Sequence, residues 1–341
     1  MGSLPTELHR IVVRRTPSGI PVVDDFAREA RPRPLLSDGE VLVRNAYLSV
    51  DPSTRIRLRG EESDYMTPLL PGDPIDGFAV GYVVASRDPA IVEGTAVRHY
   101  GGWSDWAVVR GGTGWRDAQS VPVSDSRHLY DYLGALGPSG LTAWGGLLKV
   151  GLAQSRDCLY VSAATGAVGQ IVVELGRRHC GRVVASAGSD EKVAQLISMG
   201  VDGAFNHRTE GVERGLARVA PTGLDLYFDN VGGDHLSSAL RSMNAGGRVV
   251  LCGLVSRYSE STLSAPDLDL SPAIFKGLRM EGFLARNLAP YESEFRDEVG
   301  GLMDTGALQP QYTMVEGLDS APAALARMLL GDTRGKTLVA L

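Results

Sequence analysis

Cysteine is scarce in this sequence. Cys158, Cys180 and Cys252 are an odd set at unpaired spacing, so no disulfide framework is implied. All three fall in the second half, and a zinc site in the first half would need histidines and acids alone. The histidines, His9, His99, His128, His179, His207 and His235, are scattered, with no pair at metal-ligand spacing. A metal-free protein is expected. Long apolar runs are also missing. No run of about eighteen apolar residues exists to span a membrane, and the opening MGSLPTELHRIVVRR lacks the apolar centre of a signal peptide. The expectation is a cytoplasmic protein with no membrane partner. A formal charge of -6 spreads along the chain without a basic block, leaving no electrostatic footprint for nucleic acid. Small molecules are the expected partners.

What is present is globular: 43% hydrophobic and 22% charged residues over 341 positions, enough chain for about two domains. From about Gly39 to Val109 the sequence reads as short strands broken by turns (EVLVRNAYLSV, FAVGYVVAS, TAVRHYGG, WSDWAVV), the pattern of a compact, mostly β domain. From Asp157 the texture changes to apolar β-branched runs alternating with helical stretches, the pattern of a buried parallel sheet. CLYVSAA reads as a strand, IVVELGRRH as a helix with Gly181 placed to end it, and RVVASA as the next strand. GAFN, LDLYFDN, GRVVLCG and LRMEGFLA complete six strands, enough for a doubly wound sheet. The fold class is therefore α/β. The boundary is expected near residue 130, and the strand, helix and strand of the tail from about Leu308 have the form of a segment returning to the first domain.

Between the first parallel strand and its helix stands Ala163-Ala164-Thr165-Gly166-Ala167-Val168-Gly169. Small residues here let the backbone approach a pyrophosphate, while the amides and dipole of the new helix attract its charge. Ala164 occupies the first glycine position of an AxxGxxG variant of the dinucleotide fingerprint. A cofactor with a free ribose hydroxyl is usually held by an acid at the end of the second strand. Here that strand ends in Ala187-Gly188-Ser189, with Lys192 at the start of the next helix. Ser189 can donate to a phosphate and Lys192 can add charge, which favours NADPH over NADH. Asp190 and Glu191 leave the opposite choice open, since either can turn toward a ribose hydroxyl.

The series VDPSTRIRL, GLTAWGGL, SAATGAVGQ, ASAGSDEKV, FDNVGG, MEGF and GDTRGKT resembles, in order and over nearly the whole chain, the zinc-independent medium-chain dehydrogenase/reductases. The resemblance is to their leukotriene B4 12-hydroxydehydrogenase, prostaglandin reductase and alkenal double-bond reductase group. It implies a GroES-like substrate domain over residues 1–130, completed by 308–341, and a Rossmann NADPH-binding domain over 131–307. It also implies an active site in the cleft and a homodimer formed through the Rossmann sheets. Mapped residue by residue, it sets Thr165, Gly166, Ala167 and Val168 near the pyrophosphate and Gly188, Ser189 and Lys192 at the 2′-phosphate. Asn230, Cys252, Phe283, Leu284 and Ala285 fall near the nicotinamide. Gly232 and Gly233 are expected to turn the chain.

Three departures stand out. The family reads DPYMR where this chain has Asp51-Pro52-Ser53-Thr54-Arg55, which loses an aromatic of the substrate cleft. The tyrosine of FNYK is His207, and the asparagine of GDNLGK is Thr333, so two cofactor contacts are altered. The loop from Thr113 to Arg127 and the stretch from Ser261 to Ser271 are individual, and loops are where specificity changes most readily.

A zinc dehydrogenase stabilises a developing alkoxide with a Lewis acid. A conjugated enone needs none, because hydride arriving at the β-carbon moves charge to the carbonyl oxygen, where hydrogen-bond donors can hold it. The resemblance places Tyr258, in CGLVSRYSE, beside that oxygen, with the cofactor ribose 2′-hydroxyl as its partner. The expected activity is NADPH-dependent reduction of a conjugated carbonyl compound at its β-carbon or a vinylogous position. Reductive cyclisation of a polyene in secondary metabolism shares that first step. Metal-free alcohol oxidation and a catalytically silent NADPH-binding protein are the other readings left open. Tyr47, Tyr65, Tyr82, Tyr100, Trp103 and Trp144 are expected mostly in cores. Arg55 and Arg57 are expected on a solvated face or paired with Asp51.

Overall fold

A computed structural model describes residues 4–61, 66–258 and 268–341. Tyr65, and residues 261–267 of the individual stretch, lie outside them. The chain divides into two compact units, Met1–Gly137 with Tyr312–Leu341, and Pro138–Gln311.

The first unit begins with an antiparallel pair, β1 (Glu7–Val13) and β2 (Phe26–Pro32). Next come β3 (Glu40–Ser49), a single helical turn α1 (Ser53–Arg57), β4 (Ala79–Ser86), β5 (Ala96–His99), β6 (Trp106–Arg110) and the short β7 (Gln119–Ser120). A turn over Leu129–Leu133 follows.

The second unit opens with α2 (Pro138–Gly145) and then alternates strand and helix. In order these are β8 (Cys158–Val161), α3 (Gly169–His179), β9 (Arg182–Ala187), α4 (Asp190–Ser198), β10 (Gly203–Asn206), α5 (His207–Glu210) and α6 (Val212–Val219). After them come β11 (Leu224–Asp229), α7 (Gly233–Ser242), β12 (Met243–Leu251), α8 (Ser271–Phe275), β13 (Arg279–Gly282) and α9 (Glu292–Asp304). The six strands lie in the order β10-β9-β8-β11-β12-β13, every neighbouring pair parallel. From β8 the chain builds outward to β10, then returns to lay β11 against the free side of β8. That reversal opens a crevice at the carboxyl ends of β8 and β11, where open α/β sheets bind ligands.

The sequence explains this arrangement. β8, CLYV, is buried along its whole length, as a strand covered by helices on both faces must be. α3 buries Ile171, Val172, Val173 and Leu175 and exposes Arg177 and Arg178 in its last turn, where cations complement the helix dipole. One expectation is corrected here. Gly181 is not a left-handed helix cap; α3 ends at Cys180 in extended backbone, with φ -113° and ψ 156°. Gly181 serves close approach, because a Cβ there would stand 2.5 Å from the Ser155 carbonyl oxygen.

The tail supplies β14 (Tyr312–Glu316), α10 (Ala321–Leu330) and β15 (Lys336–Ala340) to the first unit. β15 pairs antiparallel with β3 and parallel with β14, giving the order β14-β15-β3-β4-β5-β7, with β6 also on β3. Tyr312 ties this tail to the turn before Gly137 by donating its hydroxyl to Asp131 Oδ1 at 2.5 Å. Ile11, Leu48, Trp103, Leu325 and Val339 form one core beneath the sheet.

Two groups of side chains depart from expectation in this unit. Arg55 and Arg57 are not solvated but buried, at 1% and 6% exposure, because α1 lies against the core. Arg57 pairs with Asp76, while Asp51 pairs with Lys336 at 2.6 Å. Among the aromatics Trp103 and, in the second unit, Trp144 are buried as expected, but Tyr82 is exposed and Tyr47 and Tyr100 are half-buried. Successive strand residues face opposite sides of a sheet, so an aromatic on a strand with one wet face need not be core. Among the described residues, no helix is long and apolar enough to cross a membrane.

Candidate active site

The parallel sheet collects most of the expected residues at one edge. Ala163–Val168 follow β8, Gly188–Lys192 follow β9, and His207 follows β10. Asn230–Gly233 follow β11, Cys252–Tyr258 follow β12, and Phe283–Ala285 follow β13. Six stretches far apart in sequence thus share the carboxyl ends of one sheet, with the β8/β11 crevice among them.

After β8 the loop bends at Ala163, whose φ of 47° lies in the left-handed region that side chains disfavour by roughly 1–2 kcal/mol. Such strain concentrates at ligand sites. Gly166 N closes the turn on the Ala163 carbonyl at 3.0 Å. Gly169 permits it, since a Cβ there would stand 2.4 Å from that same oxygen. No side chain caps the start of α3 at Val168, and Gln170 N and Ile171 N donate to the Gly166 and Val168 carbonyls at 3.1 and 3.0 Å. Thr165 is buried in this loop, while Gly166, Ala167 and Val168 are half-buried.

At the end of β9, Ser189 is the N-cap of α4 and its Oγ accepts from Lys192 N at 3.4 Å. Asp190 is engaged elsewhere: its Oδ1 accepts from Asn206 Nδ2 at 2.7 Å. The acid that could have received a ribose hydroxyl is therefore turned to the end of β10. His207 is half-buried, its imidazole depressed first by burial and then by the neighbouring Arg208, with Lys192 contributing. Its Nδ1 is buried with no hydrogen-bond partner among the described residues. The His235 ring stands edge-on to it at 4.7 Å.

The turn after β11 is organised by Asp229. Fully buried, it accepts through Oδ1 from Tyr227 Oη at 2.6 Å, Val231 N at 2.9 Å and Gly232 N at 2.8 Å. Burial raises the Asp229 carboxyl above the usual range, and these hydrogen bonds oppose the shift. Gly232 and Gly233 follow at φ 72° and 52°, turning the chain into α7 as expected. Asn230 is fixed by Ser162, donating its backbone N to Oγ at 3.0 Å and its Nδ2 to the Ser162 carbonyl at 2.8 Å. Cys252 N and Gly253 N both donate to the Asp229 carbonyl, joining the ends of β11 and β12. Burial, then the Asp229 charge, push the Cys252 thiol up to about 12, so it is no nucleophile at neutral pH.

Tyr258 closes the turn after β12. Its hydroxyl folds back to accept from Leu254 N at 3.3 Å, and a Cβ on Gly253 would stand 3.4 Å from it. Gly253 in turn lies against the Asn230 carbonyl, 3.1 Å from that same Cβ position, so Tyr258 belongs to the β11/β12 end of the crevice. Beyond β13, the Phe283 ring packs on Gly146, and Leu284 leads in extended backbone to Ala285. Thr333 belongs to the first unit, between α10 and β15.

Sequence reasoning missed Ser162, Asn206 and Asp229, which hold the turns at the strand ends from beneath. Their only signal was position, within a residue of a parallel strand's end. Among the described residues, no group of three or more His, Cys, Asp or Glu is arranged to hold a metal.

The chain is similar to known proteins over most of its length. The chain is 35% identical over 333 residues to prostaglandin reductase 1 of Oryctolagus cuniculus, covering 93% of this chain and 89% of that one. It belongs to the zinc-independent medium-chain dehydrogenase/reductase family. Within the family it is also 36% identical over 303 residues to 2-alkenal reductase (NADP(+)-dependent) of Nicotiana tabacum, covering 88% of this chain and 87% of the other. Residues 9–117 match the N-terminal domain of oxidoreductase and residues 167–303 the zinc-binding dehydrogenase domain. CurA from Vibrio vulnificus, solved in complex with NADPH, superposes with a TM-score of 0.89 at 32% identity, covering 97% of this chain and 98% of that one. The fold class and family expected from the motifs are thereby borne out.

Proposed function

We propose that this chain is an NADPH-dependent reductase of conjugated carbonyl compounds, adding hydride at the β-carbon and using Tyr258 to stabilise the enolate. The observation that carries the cofactor choice is the engagement of Asp190 by Asn206, beside Ser189 and Lys192 at the start of α4. The residues fit the group: Gly169 and Gly188 each leave space that a Cβ would fill against neighbouring atoms, and no side chain covers the start of α3 as a cap. Thr165 to Val168 would hold the pyrophosphate, His207 the adenine-side ribose, and Asn230, Cys252 and Phe283 to Ala285 the nicotinamide side. Thr333 is assigned to the cofactor on the motif alone. The names of the relatives, a prostaglandin reductase and a 2-alkenal reductase, support a conjugated substrate.

When bound, NADPH supplies the hydride that adds to the β-carbon, leaving the electron pair of the double bond on the carbonyl oxygen as an enolate. Tyr258 donates a hydrogen bond to that oxygen, a role for which its place beside Asn230 and Gly253 suits it. A proton from Tyr258 or water then reaches the α-carbon and completes the saturated carbonyl. No residue of the site offers a Lewis acid, and none is needed when the charge lands on an oxygen within reach of a donor.

A homodimer and a cytoplasmic setting belong to the same reading. β13 is an edge of the parallel sheet, and Ile274 and Phe275 just before it are 76% and 84% exposed, an apolar edge that a second copy would cover. Three free thiols suit a reducing compartment. The deciding experiment is a panel of enals, enones and polyenones with NADPH depletion followed and each product structure solved. Saturation of the conjugated bond is the expected result. NADPH binding without turnover across the panel, or turnover only of alcohols with NADP⁺, overturns the proposal.

A further inference from the structure

Just beyond β10, Arg208 stands where the family's FNYK has its lysine. We propose that Arg208 is a third ligand of the cofactor's 2′-phosphate, acting beside Ser189 and Lys192. The proposal rests on the NADPH reading above and adds a residue to it.

Register brings Arg208 to the place. β9 and β10 pair in parallel with Ala187 opposite Asn206, so the chain stretches that follow, Gly188-Ser189 and His207-Arg208, leave the sheet side by side. Gly188 then lets them meet. A Cβ built on it would lie 3.2 Å from Arg208 Nε, 3.3 Å from His207 Cε1 and 3.4 Å from Arg208 Cζ. The guanidinium is thus drawn back over the end of β9, against the residue that takes the place of the ribose-binding acid.

Neighbouring charges agree. Arg208 and Lys192 both depress the His207 imidazole after burial, so two cations converge on one ring. The nearby acid, Asp190, has its Oδ1 on Asn206, and Asn206 Oδ1 in turn caps Arg208 N at 3.1 Å, fixing the backbone from which the guanidinium springs. A planar fork of donors matches a phosphate in a way the Lys192 ammonium cannot. It also supplies what His207 lost, since this chain has imidazole where the family has a tyrosine.

The test is calorimetric binding of adenosine 2′,5′-diphosphate and of 5′-ADP to the full chain and to Arg208→Gln, Arg208→Lys and a Ser189→Ala/Lys192→Met double variant. Arg208→Gln is expected to weaken the 2′-phosphorylated ligand about tenfold and leave 5′-ADP unchanged, with Arg208→Lys intermediate. Equal weakening of both ligands, or of neither, overturns the role of Arg208. If Arg208→Gln is silent while the double variant loses the 2′-phosphate preference, Arg208 alone falls. If the double variant is silent too, the NADPH reading falls with it.

Discussion

Asn206 Nδ2 donates to Asp190 Oδ1 at 2.7 Å, turning that acid toward the end of β10. An acid at the end of the second strand would select a free ribose hydroxyl. Here it is spent on β10. Asn206→Ala should release Asp190 and lower the ratio of kcat/KM for NADPH over NADH by about tenfold, chiefly through better use of NADH. Asp190→Asn should leave that ratio nearly unchanged. Loss of activity with both cofactors in equal measure would mean that Asn206 only caps α5.

How much of this was legible beforehand depended on how local each cause was. The six strands could be read because CLYV, RVVASA and LDLYFD are apolar runs bounded by turn residues, and burial on both faces leaves no alternation to confuse. Gly232 and Gly233 were legible because a turn at a strand end needs φ above zero. Arg55, Arg57 and Lys336 were not. Arg57 and Lys336 are buried in ion pairs with residues elsewhere in the chain, Lys336 finding Asp51 across 285 positions, while Arg55 is buried with Nε and Nη1 bonded to no described residue. Nor does composition betray that Ala163 takes the left-handed bend beside an available glycine. Asn206 and Asp190 could be seen, but not their bond.

Tyr258 carries the chemical half of the proposal. Tyr258→Phe removes a single donor from the place where negative charge develops, an effect worth about 10²–10³ in rate at comparable sites. Single-turnover hydride transfer, measured at saturating NADPH, should slow by that order. Full turnover in the variant would sink the assignment.

Lys336 tests the other unit. Its ammonium, 2% exposed, donates to the Val50 carbonyl at 2.9 Å and to Asp51 Oδ1 at 2.6 Å, anchoring the segment that replaces the family's DPYMR. Breaking a buried pair from one side costs about 3–5 kcal/mol, and the partly exposed Asp51 moves the expectation to the lower end. Lys336→Met should lose about 2–3 kcal/mol in urea unfolding. A change below about 0.5 kcal/mol would assign the pair to the surface class.

Two buried histidines set the response to mild acid. His99 in the first unit and His235 in the second are both held down to about 3 by burial, with His207 adding to the effect at His235. The unfolded chain protonates them near 6.5, the folded chain does not, so the unfolded state binds more protons below that value. Stability is therefore full above about 6.5 and falls as pH drops through the window toward 3. Between pH 7 and pH 5.5 each histidine should withdraw roughly 1 kcal/mol. The raised carboxyls of Asp131 and Asp229 act in the opposite sense, binding protons in the folded state first, while the depressed His207 acts in the same sense as the other two histidines. A single-histidine variant therefore separates one group from the rest. His235 offers the clean variant, because its Nε2 is buried with no partner among the described residues and an apolar ring there forfeits no hydrogen bond. His235→Phe should lose about 1 kcal/mol less stability than the parent between pH 7 and pH 5.5, read in urea midpoints. An unchanged pH slope in that variant would show that His235 is not the group taking up the proton.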